Sequence, residues 1–162
     1  MPTPLRQGLG LALWILVSLA AGGVGGVASV NARDFYARLD QPAWAPPGWL
    51  FGPVWTTLYV MMGVAAWLVW RSRGWDGASL AVTLFLVQLV VNALWTWLFF
   101  AWHNGAAALA DIVALLLLIV ATIVAFAPVS RWAAVLLVPY LCWVVFATAL
   151  TASVWTRNKG LL

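Results

Sequence analysis

Apolar residues fall along the chain in five blocks of membrane-spanning length, over 9–30, 50–70, 78–102, 106–126 and 132–155. Each block is near the ~20 residues that a helix needs to cross a hydrocarbon core ~30 Å thick. None shows the apolar/polar alternation of a membrane barrel strand, and lipid leaves no backbone group unpaired, so each block reads as a helix. The expected fold class is all-α: a five-transmembrane-helix bundle, one domain over 1–162, with its termini on opposite sides. The breaks at 71–77, 103–105 and 128–131 read as tight turns, against one long loop over 31–49 between the first two helices.

That loop is no flexible linker. The stretch LDQPAWAPPGWLFGPVWTTLY at 39–59 contains Pro42, Pro46, Pro47 and Pro53, four of the eight prolines in the chain. Each fixes a backbone dihedral and removes an N–H donor, which presets an extended, semi-rigid path. Between them Trp44, Trp49, Phe51, Trp55 and Tyr59 offer broad π faces with a few N–H and O–H donors. Such a Pro/Trp-rich lid suits a flat, largely apolar ligand at the membrane edge.

Composition narrows the picture further. With 65% hydrophobic and 7% charged residues and a mean hydropathy of +1.01, the chain cannot cover a soluble domain with polar surface. The net charge of +4 fits basic residues flanking helices at a lipid surface, and nothing resembles a nucleic-acid patch. Orientation stays open: Arg6, Arg71, Arg73 and Arg131 on the N-terminal side balance Arg33, Arg38, Arg157 and Lys159 on the other. Arg6, the apolar block after it and the small residues at 28–32 imitate a secretory signal, but the block is long for one and its loss would remove a wall of the bundle, so retention is expected. Cys142, the one cysteine, is expected to be a buried small hydrophobe in the fifth span.

Polar residues inside spans are expensive and mark candidate sites. Gln88, Asn92, Trp95 and Phe99 share a face of the third helix; Trp55, Tyr59, Met62 and Ala66 share one on the second; Tyr140, Trp143, Ala147 and Leu150 share one on the fifth, ending near Thr151. Three helices can thus present aromatic and amide groups to one cavity. Hydrogen bonding across helices would equally explain Gln88 and Asn92. Gly22 and Gly26 in the first span, and Ala106, Ala110 and Ala114 in the fourth, permit close helix approach. Asp111 lies near the start of the fourth helix, where it can reach water and gain from the helix dipole, and is read as structural. His103, the only histidine, is read as a turn residue and has no neighbours to complete a metal site. No nucleophile, base and orienting acid occur together and no phosphate loop is present, so hydrolase and kinase chemistry lack support, and no cofactor is required.

The segments WAPPGWLFGPVWTTLYVMMGVAAWLVW (44–70), QLVVNALWTWLFF (88–100), Asp111 and VPYLCWVVFATALTASVWTRN (138–158) stand in an order and spacing that resembles the TspO/translocator protein family, the tryptophan-rich sensory proteins also known as peripheral-type benzodiazepine receptors. The resemblance runs from about Tyr36 to Asn158. It implies five transmembrane helices, a homodimer, and a pocket in the bundle closed by the loop between the first two helices. It implies as ligands porphyrins such as protoporphyrin IX and haem intermediates, sterols such as cholesterol, and synthetic isoquinoline carboxamides and benzodiazepines. By position, its pocket residues fall on Pro47, Trp49, Trp55, Tyr59, Gln88, Asn92, Trp95, Phe99, Trp143, Ala147 and Leu150. Trp55 and Trp143 match the two tryptophans connected in some bacterial members with light- and oxygen-dependent porphyrin breakdown, and would be the catalytic pair if the chain is an enzyme. The sterol-associated pattern is incomplete, with Ala152 where a tyrosine stands although Arg157 remains; Thr151 replaces an asparagine and Ala107 a tryptophan.

The resemblance favours a membrane receptor or sensor that binds porphyrin and modulates tetrapyrrole handling. A porphyrin-degrading enzyme and a porphyrin or sterol translocator are the alternatives, although coupled transport has no support from intramembrane ion pairs or inverted repeats. The alanine-, valine- and tryptophan-rich composition, without a transit peptide, points to a bacterial membrane, the cell membrane ahead of the outer one.

Overall fold

A computed structural model describes residues 3–162, and all regular structure among them is helical. Helix α1 spans Pro4–Ala28. It starts earlier than the hydropathy block because the Thr3 hydroxyl accepts from the Arg6 N–H (3.3 Å) and Pro4 occupies the first turn, where its missing donor is no loss. Helix α3 (Phe51–Gly77) runs on through the polar 71–77 segment expected as a turn, breaking only at Gly74, whose φ of 66° suits glycine. Helix α4 (Ser79–Thr96) continues into a π-helical turn over Trp97–Ala101, and α5 covers Gly105–Phe126. The fifth span is in two parts, α6 (Arg131–Leu136) and α7 (Val138–Arg157), and breaks beside Pro139, which has no N–H to continue the ladder.

Five spans are long and apolar enough to cross a membrane, and the chain is an integral, multi-pass membrane protein. They close into a ring: α1 packs on α3 and α4, α4 on α5, α5 on α7, and α6 returns to α3. The α1–α3 seam is tight because Gly63 lets the helices meet; a Cβ there would lie 2.5 Å from the Ile15 Cα. Gly22 lies under the Tyr59 ring, whereas space is open at Gly26. Ala106, Ala110 and Ala114 face out of the bundle, so they do not mediate packing within it. Cys142 also corrects expectation: it lies on the outward face of α7 and is exposed, since the stripe through Tyr140, Val144 and Ala147 takes the interior.

The long connection is only half a loop. Its first part folds as α2 (Ala32–Arg38), which buries Phe35 and Tyr36. The proline-rich remainder crosses the bundle end and enters α3 through a 3₁₀ turn at Gly48–Leu50. Contacts at several points hold this lid. The Tyr36 hydroxyl donates to the Pro46 carbonyl (3.1 Å), and burial raises its pKa above the ordinary value of 10.0, so it stays a donor throughout the neutral range. Phe35 stacks on His103 at 4.0 Å; this turn residue has a φ of 49°, which sets the sharp reversal into α5. At the end of α7, the buried Asn158 amide accepts from the Asp40 N–H (2.8 Å) and donates to the Asp40 carbonyl (2.9 Å), with an Arg157–Asp40 ion pair at 3.8 Å beside it.

Losing the Asn158 pair removes about 1–3 kcal/mol of local restraint. Asn158→Ala is therefore expected to speed amide exchange across 40–50 about tenfold or more while the spans keep their protection. Unchanged exchange in the lid would refute the clasp.

A lid-covered aromatic cavity

Beneath the lid lies a cavity of about 570 Å³, within the ~300–1,000 Å³ usual for small-molecule sites. It is lined by the lid-proximal halves of α1, α3 and α7, the end of α4 with its π turn, and one side of α2. Its walls are aromatic. Trp55 stacks on Tyr59 (5.7 Å between ring centroids), Trp95 on Phe99 (5.4 Å), and Phe51 meets Trp143 edge-on (5.9 Å). The π turn matters here: by widening one turn it lets Phe100 join Phe99 and Trp95 on the cavity wall, which an unbroken α-helix would turn away.

Of the residues expected at the site, Trp49, Trp55, Tyr59, Trp95, Phe99, Trp143, Ala147 and Leu150 line the cavity together. Pro47 does not; it starts the turn in which the Leu50 N–H donates to the Pro47 carbonyl (3.1 Å), and so presents Gly48 and the exposed Trp49 to the cavity. Gln88 and Asn92 lie on the expected face but below the floor. There Tyr59 donates its hydroxyl to the Asn92 carbonyl oxygen, the Asn92 amide donates to the Tyr140 hydroxyl (2.8 Å), and Tyr140 donates to Gln88 Oε1 (2.7 Å). Every member of this chain is buried, so it ties α3, α4 and α7 together and fixes the floor ring, Tyr59, from behind.

Other lining residues carried weaker signals in the sequence. Gly22 and Gly26, read as packing, join Gly23 and Gly25 in thinning the α1 wall, and Arg33, Tyr36, Phe51 and Phe100 lay outside the stripes. A Cβ at Gly23 or Gly26 would meet nothing within 4 Å. The aromatic loop facing a double-glycine pair was the available cue.

Two groups at the cavity are unfinished. The indole N–H groups of Trp95 and Trp143 are buried and have no hydrogen-bond partner among the described residues. Buried without a partner, they are a cost to the fold, and although both rings line the cavity neither nitrogen is open to it. Asp111 Oδ2 is likewise buried and unpartnered, though Asp111 does not line the cavity, and among the described residues no three His, Cys, Asp or Glu side chains converge on a metal.

The sequence profile of the TspO/MBR family matches residues 14–156. The chain is 44% identical to the tryptophan-rich protein TspO of Chlorobaculum tepidum over 94% of its own length and 98% of that protein. It is 41% identical to the human translocator protein over 78% of the chain and 76% of the relative, and 37% identical to the tryptophan-rich sensory protein of Cereibacter sphaeroides over 81% of each. Likeness on this scale spans the lid, the π turn and the walls of the cavity, and the chain belongs to the TspO/MBR family.

Proposed function

We propose that this chain is a membrane receptor that binds a porphyrin, such as protoporphyrin IX, in the lid-covered cavity and modulates tetrapyrrole handling. One observation carries the reading: flat aromatic faces from the lid, α2, α3, α4 with its π turn and α7 enclose a volume of about 570 Å³. A porphyrin offers a planar π system to those walls. It acts as ligand, with no resident cofactor. Sterol is the weaker candidate, since Ala152 leaves its pattern incomplete. The reading includes a homodimer in a bacterial cell membrane; the translocator name of the human relative fits a ligand handed on from the same cavity.

A second reading, light- and oxygen-dependent breakdown of the bound porphyrin, is favoured by the placement of both Trp55 and Trp143 on the cavity wall. The Trp55 ring adjoins Tyr59 and Tyr140 (6.1 Å), a chain of oxidisable side chains beside a photoexcited ligand. Purified protein titrated with protoporphyrin IX in the dark should show saturable tryptophan quenching. On illumination in air, an unchanged visible spectrum supports the receptor, whereas a new absorbing species that Trp55→Phe abolishes without loss of binding supports the enzyme. Absence of saturable quenching would overturn both.

A further inference from the structure

We propose that Arg33 is the anion-recognition residue of the cavity, holding a carboxylate of the bound amphiphile at the rim, so that the site selects flat acids over neutral molecules of the same shape. The proposal rests on the ligand-cavity reading and adds the ligand's charge and its orientation. Among the described residues, Arg33 is the one charged residue in the cavity lining. Helix α2 places it there: Ala32, Arg33 and Tyr36 face the cavity, while Asn31, Asp34, Phe35 and Arg38 border a separate outer groove.

Its guanidinium is uncommitted. The acid across the lid, Asp40, is taken by Arg157 at 3.8 Å, and Arg33 makes no ion pair or hydrogen bond among the described residues. The other polar groups of the lining are mostly occupied. Ser29 donates to the Gly25 carbonyl (3.0 Å), Thr56 to Gly52 (2.9 Å) and Thr151 to Ala147 (2.7 Å), and the Tyr36 and Tyr59 hydroxyls donate to Pro46 and Asn92. What remains open to the cavity, among the described residues, is the Arg33 guanidinium, the Trp49 and Trp55 indole N–H groups and the Thr96 hydroxyl. Among the described residues no acidic side chain lines the cavity. The charge on the lining is thus positive and unpaired, at the lid end with apolar walls below, a pattern complementary to an aromatic acid whose carboxylate points toward the lid.

The test compares protoporphyrin IX with its dimethyl ester, which keeps the macrocycle and removes the charge. Both are titrated in the dark in neutral detergent against the wild type, Arg33→Ala and Arg33→Lys, with thermal melts as a folding check; Arg33 is exposed and unpartnered, so the melts should coincide. The wild type should bind the acid about tenfold more tightly than the ester, Arg33→Ala should lose that preference by weakening the acid alone, and Arg33→Lys should keep part of it. Equal affinity of the wild type for acid and ester, or equal weakening of both in Arg33→Ala, overturns the role of Arg33 and leaves the cavity reading standing. Saturation by neither porphyrin overturns the cavity reading and this proposal with it.

Discussion

Gly63→Val is expected to abolish the native bundle or to lower its stability by more than the about 1–3 kcal/mol typical of overpacking. A Cβ at Gly63 would lie 2.5 Å from the Ile15 Cα, 2.8 Å from its backbone nitrogen and 2.9 Å from Cγ1. Two of those atoms are backbone and cannot rotate away, so α1 must separate from α3 along its principal contact. Apolar burial offers little rescue in lipid, where helix association depends on close packing. Gly8 is the control. Nothing lies within 4 Å of a Cβ there, and Gly8→Ala should be neutral or stabilise by up to about 1 kcal/mol through helix propensity. Thermal melting in detergent and the yield of monodisperse protein report both; a Gly63→Val protein that melts with the wild type would contradict the α1–α3 seam.

Ala147→Phe should remove porphyrin binding, at least about tenfold, with little change in melting temperature. Ala147 is buried, lines the cavity, and stands on α7 one turn from Trp143. A phenyl ring added there has the cavity to enter, so the strain of overpacking a filled core is avoided while the space for a macrocycle is lost. Dark titration and melting curves on the same preparation separate the two effects. Retained affinity would place the ligand elsewhere; lost affinity accompanied by a collapsed melt would indict the fold instead.

Hydropathy made the five spans legible because lipid demands long apolar helices, and the 3.6-residue stripes on α3, α4 and α7 correctly set Trp55, Tyr59, Trp95, Phe99, Trp143, Ala147 and Leu150 on one cavity. Depth along a helix was not legible. Asn92 and Gln88 share the stripe with Trp95, yet lie one and two turns below it, where partners on neighbouring helices absorb their amides. Helix α2 was hidden because seven residues, ARDFYAR, give a periodicity no window resolves, and it was α2 that turned Arg33 toward the cavity. The π turn was hidden for a related reason. An all-apolar run such as WLFFA looks the same at any winding, and only the Trp102 N–H donating to the Trp97 carbonyl (2.9 Å) reveals the wider turn. Cys142 misled because composition says apolar in a span without saying whether the face meets protein or lipid.

The most direct measurement is an experimental structure of the protein with protoporphyrin IX bound in the dark. One macrocycle per chain is expected beneath the lid, flanked by the Trp55, Trp95 and Trp143 rings. A porphyrin on the outer, lipid-facing surface with the cavity unfilled would contradict it.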